Sequence, residues 1–160
     1  MANLEKIEKF LKIQKIPYKI IDLGGETFRV EDVVKVGIVR EAILKTLLIR
    51  CQKDTIKGMQ TIFVAIGLRG GDKLDFKKVR KLFGGRAELA TPAEVLKIVG
   101  VPIGAVCPIE IGVAVYFDRR AMELGNVNMG SGDLTKGLDM KFTDLLKTIS
   151  GYEVTDLVQR

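Results

Sequence analysis

Apolar side chains recur at helical spacing from the start of the chain: Leu4, Ile7, Phe10, Leu11 and Ile13 stand among lysines and glutamates, and Pro17 closes the run. A helix is expected over 3–15. YKIIDL, at 18–23, reads as a strand ended by Gly24-Gly25. Thr27 is placed to cap a short helix reaching about Val36, with Glu31 and Asp32 near its positive end and Gly37 as its stop. Strands follow at 43–51 and 60–67, joined by a polar turn around Asp54 to Gly58. In DFKKVRKLFGG, at 75–85, Phe76, Val79, Leu82 and Phe83 form an apolar stripe and the paired glycines end the helix. ELATPAEVLKIVG, at 88–100, is a strand end turning into a helix: Thr91 caps it, Pro92 takes the first turn, and Glu94 reaches back from three residues on. A loop bearing glycine and proline then leads to strands at 113–117, 126–130 and 138–142, with a turn at 118–124 after the first. Thr143 opens a last helix to about Ser150.

Strands adjacent in sequence come in unbroken runs between the helices, which argues for one mixed sheet with helices against it and against a doubly wound parallel sheet. The expectation is a mixed α/β fold in a single compact domain over 1–160, with no repeat, linker or low-complexity tract.

Within AILKTLLIR, at 42–50, strand geometry puts Ile43, Lys45, Leu47 and Ile49 on one face and Leu44, Thr46, Leu48 and Arg50 on the other. A lysine between Ile43 and Leu47 has two accounts. Burying an ammonium without a partner costs several kcal/mol, so Lys45 either snorkels out at a sheet edge or meets an anion in a cavity.

Composition narrows the chemistry. The 160 residues are 47% hydrophobic and 29% charged, as in a globular domain. No apolar run reaches the roughly 18 residues needed to cross a bilayer, and the first ten residues are charged and amphipathic, so a soluble cytoplasmic protein is expected. The chain has no histidine, and its two cysteines, Cys51 and Cys107, lack CxxC spacing; zinc-finger, thiol-imidazole and Ser-His-Asp chemistries thus lose their usual parts. Neither a metal nor a cofactor is expected. A net charge of +6 favours an anionic partner, because clustered Lys and Arg gain from releasing counterions held by phosphates, although solubility alone also explains a basic balance.

GLRGGDK, at 67–73, has a strand before it and three glycines, but Leu74 follows Lys73 where a phosphate-binding loop needs a hydroxyl. It reads as a turn into the next helix, with Asp72 or Asp75 near the helix start. Cys107 lacks any imidazole to ionise it, so packing is the favoured reading. The run Gly104-Ala105-Val106-Cys107-Pro108 can present backbone amides to a carbonyl oxygen, or simply connect two elements. Asn128-Met129-Gly130-Ser131-Gly132 likewise permits close approach to a ligand, or a bulge.

VREAILKTLLIR, GDKLDFKKVRKLFGG, ELATPAEVLKIVGVPIGAVCP and VNMGSGDLTKGLDMKFTDLLK, in this order and spacing, resemble the YbaK-like aminoacyl-tRNA deacylases, which are similar to the editing domain of bacterial prolyl-tRNA synthetases. The resemblance covers nearly the whole chain. It implies a curved, barrel-like mixed sheet flanked by helices, and hydrolysis of the ester joining a wrong amino acid to tRNA, with Cys- and Ala-tRNA(Pro) as leading substrates. It further implies that Lys45 is the hallmark functional residue, that Gly104, Ala105, Val106, Cys107 and Pro108 form the family's GxxxP loop, and that Gly130, Ser131 and Gly132 form its glycine patch. Lys136 stands where many relatives carry a histidine, which puts any role for a neutral imidazole in doubt. Arg69, Lys77, Lys78, Arg80 and Lys81 are the candidates for contact with the tRNA acceptor stem, and prolyl-tRNA synthetase is a further candidate partner. The rival reading is a binding module that holds aminoacyl-tRNA or docks on a synthetase without catalysis.

Overall fold

The computed structural model describes residues 3–160. Side-chain chemistry sets most helix starts. Helix α1 (Leu4–Ile13) starts where the Asn3 side chain accepts the Lys6 N–H at 3.0 Å, and it buries Ile7 and Leu11. The next strand is β1 (Lys19–Asp22). Helix α2 (Val30–Lys35) begins later than the sequence suggests, because Thr27 is not its cap. The Thr27 N–H and hydroxyl both donate to the Leu134 carbonyl, each at 2.8 Å, while Asp32 accepts the Phe28 and Arg29 N–H groups at 3.0 and 3.2 Å. Those bonds hold the Asp32 carboxyl below its usual range.

Strands β2 (Leu44–Thr55) and β3 (Gly58–Arg69) form a hairpin turning at Ile56-Lys57, with Gly58 at φ 107. Both are longer than expected, since they stay paired past Cys51 where no buried alternation marks them. Helix α3 (Phe76–Phe83) is capped by Asp75, whose side chain accepts the Lys77 N–H at 3.0 Å, and ends at Gly84 with φ 73. After β4 (Arg86–Leu89), α4 (Pro92–Val99) carries the expected reciprocal cap: Glu94 N–H to Thr91 at 3.1 Å and Thr91 N–H to Glu94 at 2.9 Å. The chain continues through β5 (Ala114–Asp118), β6 (Asn126–Gly130), β7 (Lys136–Lys141), α5 (Phe142–Lys147) and β8 (Glu153–Thr155). The last strand, β8, has no counterpart among the sequence expectations.

The strands form two sheets, which corrects the expectation of one. A five-stranded mixed sheet has the order β4-β2-β3-β5-β8, and a three-stranded antiparallel sheet the order β1-β7-β6. The second sheet folds over the first because both have an apolar face to bury. Leu44, Leu48, Ala65, Val115 and Phe117 of the larger sheet share one core with Val127, Met129, Leu138 and Met140 of the smaller. The opposite face of the larger sheet buries Ile49, Cys51, Val64, Ile66 and Leu68 against Val79 of α3 and the C-terminal Leu157 and Val158. A parallel bridge from Ile43 to Asn128 joins the two sheets at one corner, and among the described residues the strand pairings do not close a barrel.

Candidate functional site

At that corner β2 lacks a neighbour. Its pairing with β4 begins at Ile49, the Leu48 carbonyl accepts the Ala90 N–H at 2.9 Å, and the bridge to β6 lies at Ile43. Leu48 points its carbonyl away from β3, and residues two apart share a direction, so the Thr46 backbone also faces away from β3. A cavity of about 460 Å³ opens there. Its walls come from β2, the α4 entrance at Leu89, Ala90 and Val95, the loop at Ile103 to Val106, the end of β6, and the segment from Thr27 to Val33.

The structure brings Lys45, Gly104, Val106, Gly130 and Lys136 together on this cavity. Lys45 is half-buried at the cavity, and its ammonium donates to the Asp72 carbonyl. Desolvation lowers its pKa, the Asp72 charge opposes that shift, and Lys73 adds to it. Ala105, Cys107, Pro108 and Ser131 lie buried behind the wall. The Ala105 N–H is committed to the Pro102 carbonyl at 3.0 Å, and the Ser131 hydroxyl to the Lys136 carbonyl at 2.6 Å. Burial pushes the Cys107 thiol up to about 12, as packing requires and nucleophilic chemistry does not.

The GxxxP loop and the glycine patch are in direct contact. The Gly132 N–H donates to the Ala105 carbonyl at 2.8 Å, and a Cβ on Gly130 would sit 2.3 Å from the Val106 carbonyl oxygen. Gly104, at φ 92, leaves no room for a Cβ, which would stand 2.7 Å from the Phe28 backbone. Glycine is thus needed where loop, β6 and the Thr27 segment close on one another.

Asn128, first of the 128–132 run, is buried and donates to Asp139 at 2.6 Å. Other wall residues carry no sequence signal: Thr46 has a buried hydroxyl with no hydrogen-bond partner among the described residues, and Phe28, Asp72 and Asp133 also line the cavity. Threonine is ordinary in strands, and the other three reach the site through topology alone. The lining carries Arg29, Arg40, Lys45, Lys73 and Lys136 against Glu31, Asp72 and Asp133. Each carboxylate already has a partner: Glu31 binds Arg40, Asp72 accepts from Arg69 at 2.8 Å, and Asp133 accepts the Thr135 hydroxyl at 2.7 Å. The unspent charge is positive and suits a ligand rich in carbonyl or phosphate oxygens. No cluster of residues fit to hold a metal occurs among the described residues.

The five basic residues expected to meet RNA divide into two groups. Lys77, Arg80 and Lys81 are exposed on α3. Lys78 is not available there, because its ammonium bonds the Asp156 carboxylate at 2.9 Å and the Val158 carbonyl at 2.7 Å. Arg69 holds Asp72 and also approaches Glu123 at 3.8 Å.

No described helix is long and apolar enough to cross a membrane. The uncharacterized protein YwhH of Bacillus subtilis (strain 168) is 34% identical over 109 residues, which span 66% of this chain and 64% of that protein. The solved structure of the hypothetical protein APE2540 is similar with a TM-score of 0.79 at 24% identity, over 96% of this chain and 99% of that one. A structure described as a candidate trans-editing enzyme for prolyl-tRNA synthetase is similar with a TM-score of 0.78 at 24% identity, over 98% and 97% of the two chains. At such identities the two structures carry the fold alone. The sequence profile of the aminoacyl-tRNA editing domain matches residues 26–148, more than half of the chain, and the protein belongs to that family.

Proposed function

We propose that the protein is a trans-editing deacylase that hydrolyses the ester of a mischarged tRNA, with Cys- or Ala-tRNA(Pro) as substrate and prolyl-tRNA synthetase as the enzyme whose errors it removes. The observation that carries this reading is a cationic cavity where Lys45 meets the glycine-built corner of the Gly104 loop and β6, in a member of the aminoacyl-tRNA editing family. An aminoacyl ester is already activated, so catalysis needs placement of water and stabilisation of the oxyanion more than a strong nucleophile.

In this mechanism the Lys45 ammonium faces the ester carbonyl oxygen or the terminal phosphate, since the cationic α-amino group of the substrate is repelled from it. Gly104 and Val106 line the ester, the Ala105 amide being already engaged. Water adds to the carbonyl carbon, with the ribose 2′-hydroxyl relaying its proton. The bond to the ribose oxygen then breaks, that oxygen takes the proton, and amino acid and tRNA leave. Lys77, Arg80 and Lys81 meet the acceptor stem. Such a protein works in the cytoplasm, where tRNA is charged.

The test is a deacylation panel of Cys-, Ala-, Ser-, Thr- and Pro-tRNA. Hydrolysis of Cys- or Ala-tRNA(Pro), lost in Lys45→Ala with the circular dichroism unchanged, is the expected outcome. Binding across the panel without turnover would instead assign a holding role.

A further inference from the structure

The β2–β3 hairpin outruns its sheet. Pairing to β4 stops at Gln52 and pairing to β5 starts only at Val64, so among the described residues both outer edges from Lys53 to Ile62 have no neighbouring strand. Every residue in that stretch is exposed, and Ile56 at the tip is wholly so. Two-stranded ribbons are marginal in water unless something rests on them. The root of this one is seated on the end of α3. Gly85 permits the approach, because a Cβ there would lie 2.0 Å from the Gln52 carbonyl oxygen. The Lys53 ammonium comes within 3.6 Å of the space a Cβ on Gly84 would occupy, over the negative C-terminal end of α3.

The consequence is a basic track. Lys73 lines the cavity, Lys77, Arg80 and Lys81 follow on the exposed side of α3, and Lys53 stands where helix meets ribbon, with Lys57 at the tip. Asp54 is the ribbon's own carboxylate, and the nearby Glu88 is tied to Arg50. From Lys77 to Gly84 the helix advances about 10 Å, and from Lys53 to Ile56 the ribbon adds about 10 Å more.

We propose that the hairpin arm Lys53–Ile62 extends the α3 surface into a docking face for the phosphate backbone of an A-form RNA stem. The inference rests on the deacylase reading only for which RNA end lies in the cavity; the surface itself is argued from charge and shape. A-form RNA presents a shallow minor groove flanked by phosphates, which a protruding ribbon can straddle and a flat sheet edge cannot.

The experiment measures binding of an uncharged, fluorescently labelled acceptor-stem RNA hairpin by anisotropy between 50 and 200 mM salt. Lys53→Ala/Lys57→Ala is compared with Lys9→Ala/Lys12→Ala on α1, which removes the same charge elsewhere. The arm variant is expected to bind ~10-fold more weakly at low salt and to flatten the log–log salt slope by about 1 to 2, with the α1 variant like the wild type. A second variant, Lys57→Glu, is expected to weaken binding in the same direction. Equal affinities for arm and α1 variants, or binding to phosphatidylserine vesicles but not to the hairpin, would overturn the proposal. Deacylation is read separately, as the rate on whole mischarged tRNA relative to an aminoacylated 3′ trinucleotide, and this ratio falls ~10-fold in the arm variant. Absence of hydrolysis by the wild type on either substrate would defeat the deacylase reading alone, and the hairpin binding still decides the surface.

Discussion

Lys45 is held half out of water at the cavity, and this weighs against folding while it favours chemistry. Desolvation depresses its pKa below the usual 10.5. Between the folded pKa and that value the unfolded chain holds the proton and the native state does not, so stability gains as pH rises through the window. Lys45→Met is therefore expected to keep or raise the melting temperature and to lower deacylation at least 100-fold, a loss of the size seen when a single oxyanion donor is removed. Paired thermal melts and initial rates check this; a wild-type rate in the folded variant removes Lys45 from the mechanism. If the ammonium is the working form, kcat/KM declines on an alkaline limb centred below pH 10.5, after subtraction of background hydrolysis. Cys107 gives a contrasting residue-level test. Its thiol, pushed up to about 12, is expected to resist iodoacetamide at pH 8 in the native protein and to react once the chain unfolds. Rapid native labelling without loss of structure would contradict its burial.

At the level of elements, the close packing of loop on strand makes the glycines a sensitive point. Gly130→Ala places a methyl 2.3 Å from the Val106 carbonyl oxygen, with backbone rather than a flexible side chain in the way. A cost of about 1–3 kcal/mol and a severalfold loss of turnover are expected, measured by urea unfolding and deacylation; an unchanged midpoint would mean that the loop yields freely. The sequence marks a proline-bearing loop and a glycine patch as separate candidate segments, not that they touch. Caps are local, so Thr91-Pro92-Ala93-Glu94 was read correctly from four residues. Thr27 looked equally like a cap and was claimed by the Leu134 carbonyl, a partner 107 residues away. The division into two sheets was hidden for the same reason: pairing partners are chosen by the shared core, and periodicity reports only that a face is apolar. Lys45 was legible because a charge interrupts an apolar strand. Thr46 and Asp72 were not, since each is ordinary for its local element.

Across the whole molecule, the last residues of the chain stabilise the loop that receives Lys45. The tail runs along the entrance to α3: the Asp75 N–H donates to the Leu157 carbonyl and the Gln159 N–H to the Lys73 carbonyl, each at 2.8 Å, and Leu74 bridges to Val158. Beneath it, the fully buried Asp118 accepts the Leu157 N–H at 2.8 Å. Lys78 clamps the outside through Asp156 and the Val158 carbonyl, and its ammonium brings the Asp156 carboxyl down to about 2. Residues 156–159 thus hold 73–75, and Asp72, the next residue in the chain, carries the carbonyl that receives the Lys45 ammonium. Lys78→Ala removes the clamp without touching Leu157 or Val158 in the core. Both ends of the ion pair are about a third exposed, so the stability loss should be modest, about 1 kcal/mol or 2–4 °C in Tm. The lowered carboxyl pKa sets its sign with pH: the contribution is complete above 3.8 and disappears as pH falls through about 2, so wild type and variant converge in acid. The coupling to the site is tested by amide exchange at Asp75 and Gln159, expected to quicken in the variant together with a severalfold fall in kcat. A lowered Tm with unchanged exchange and turnover would leave the clamp a matter of stability only, with the Asp72 loop held in place by Arg69 instead.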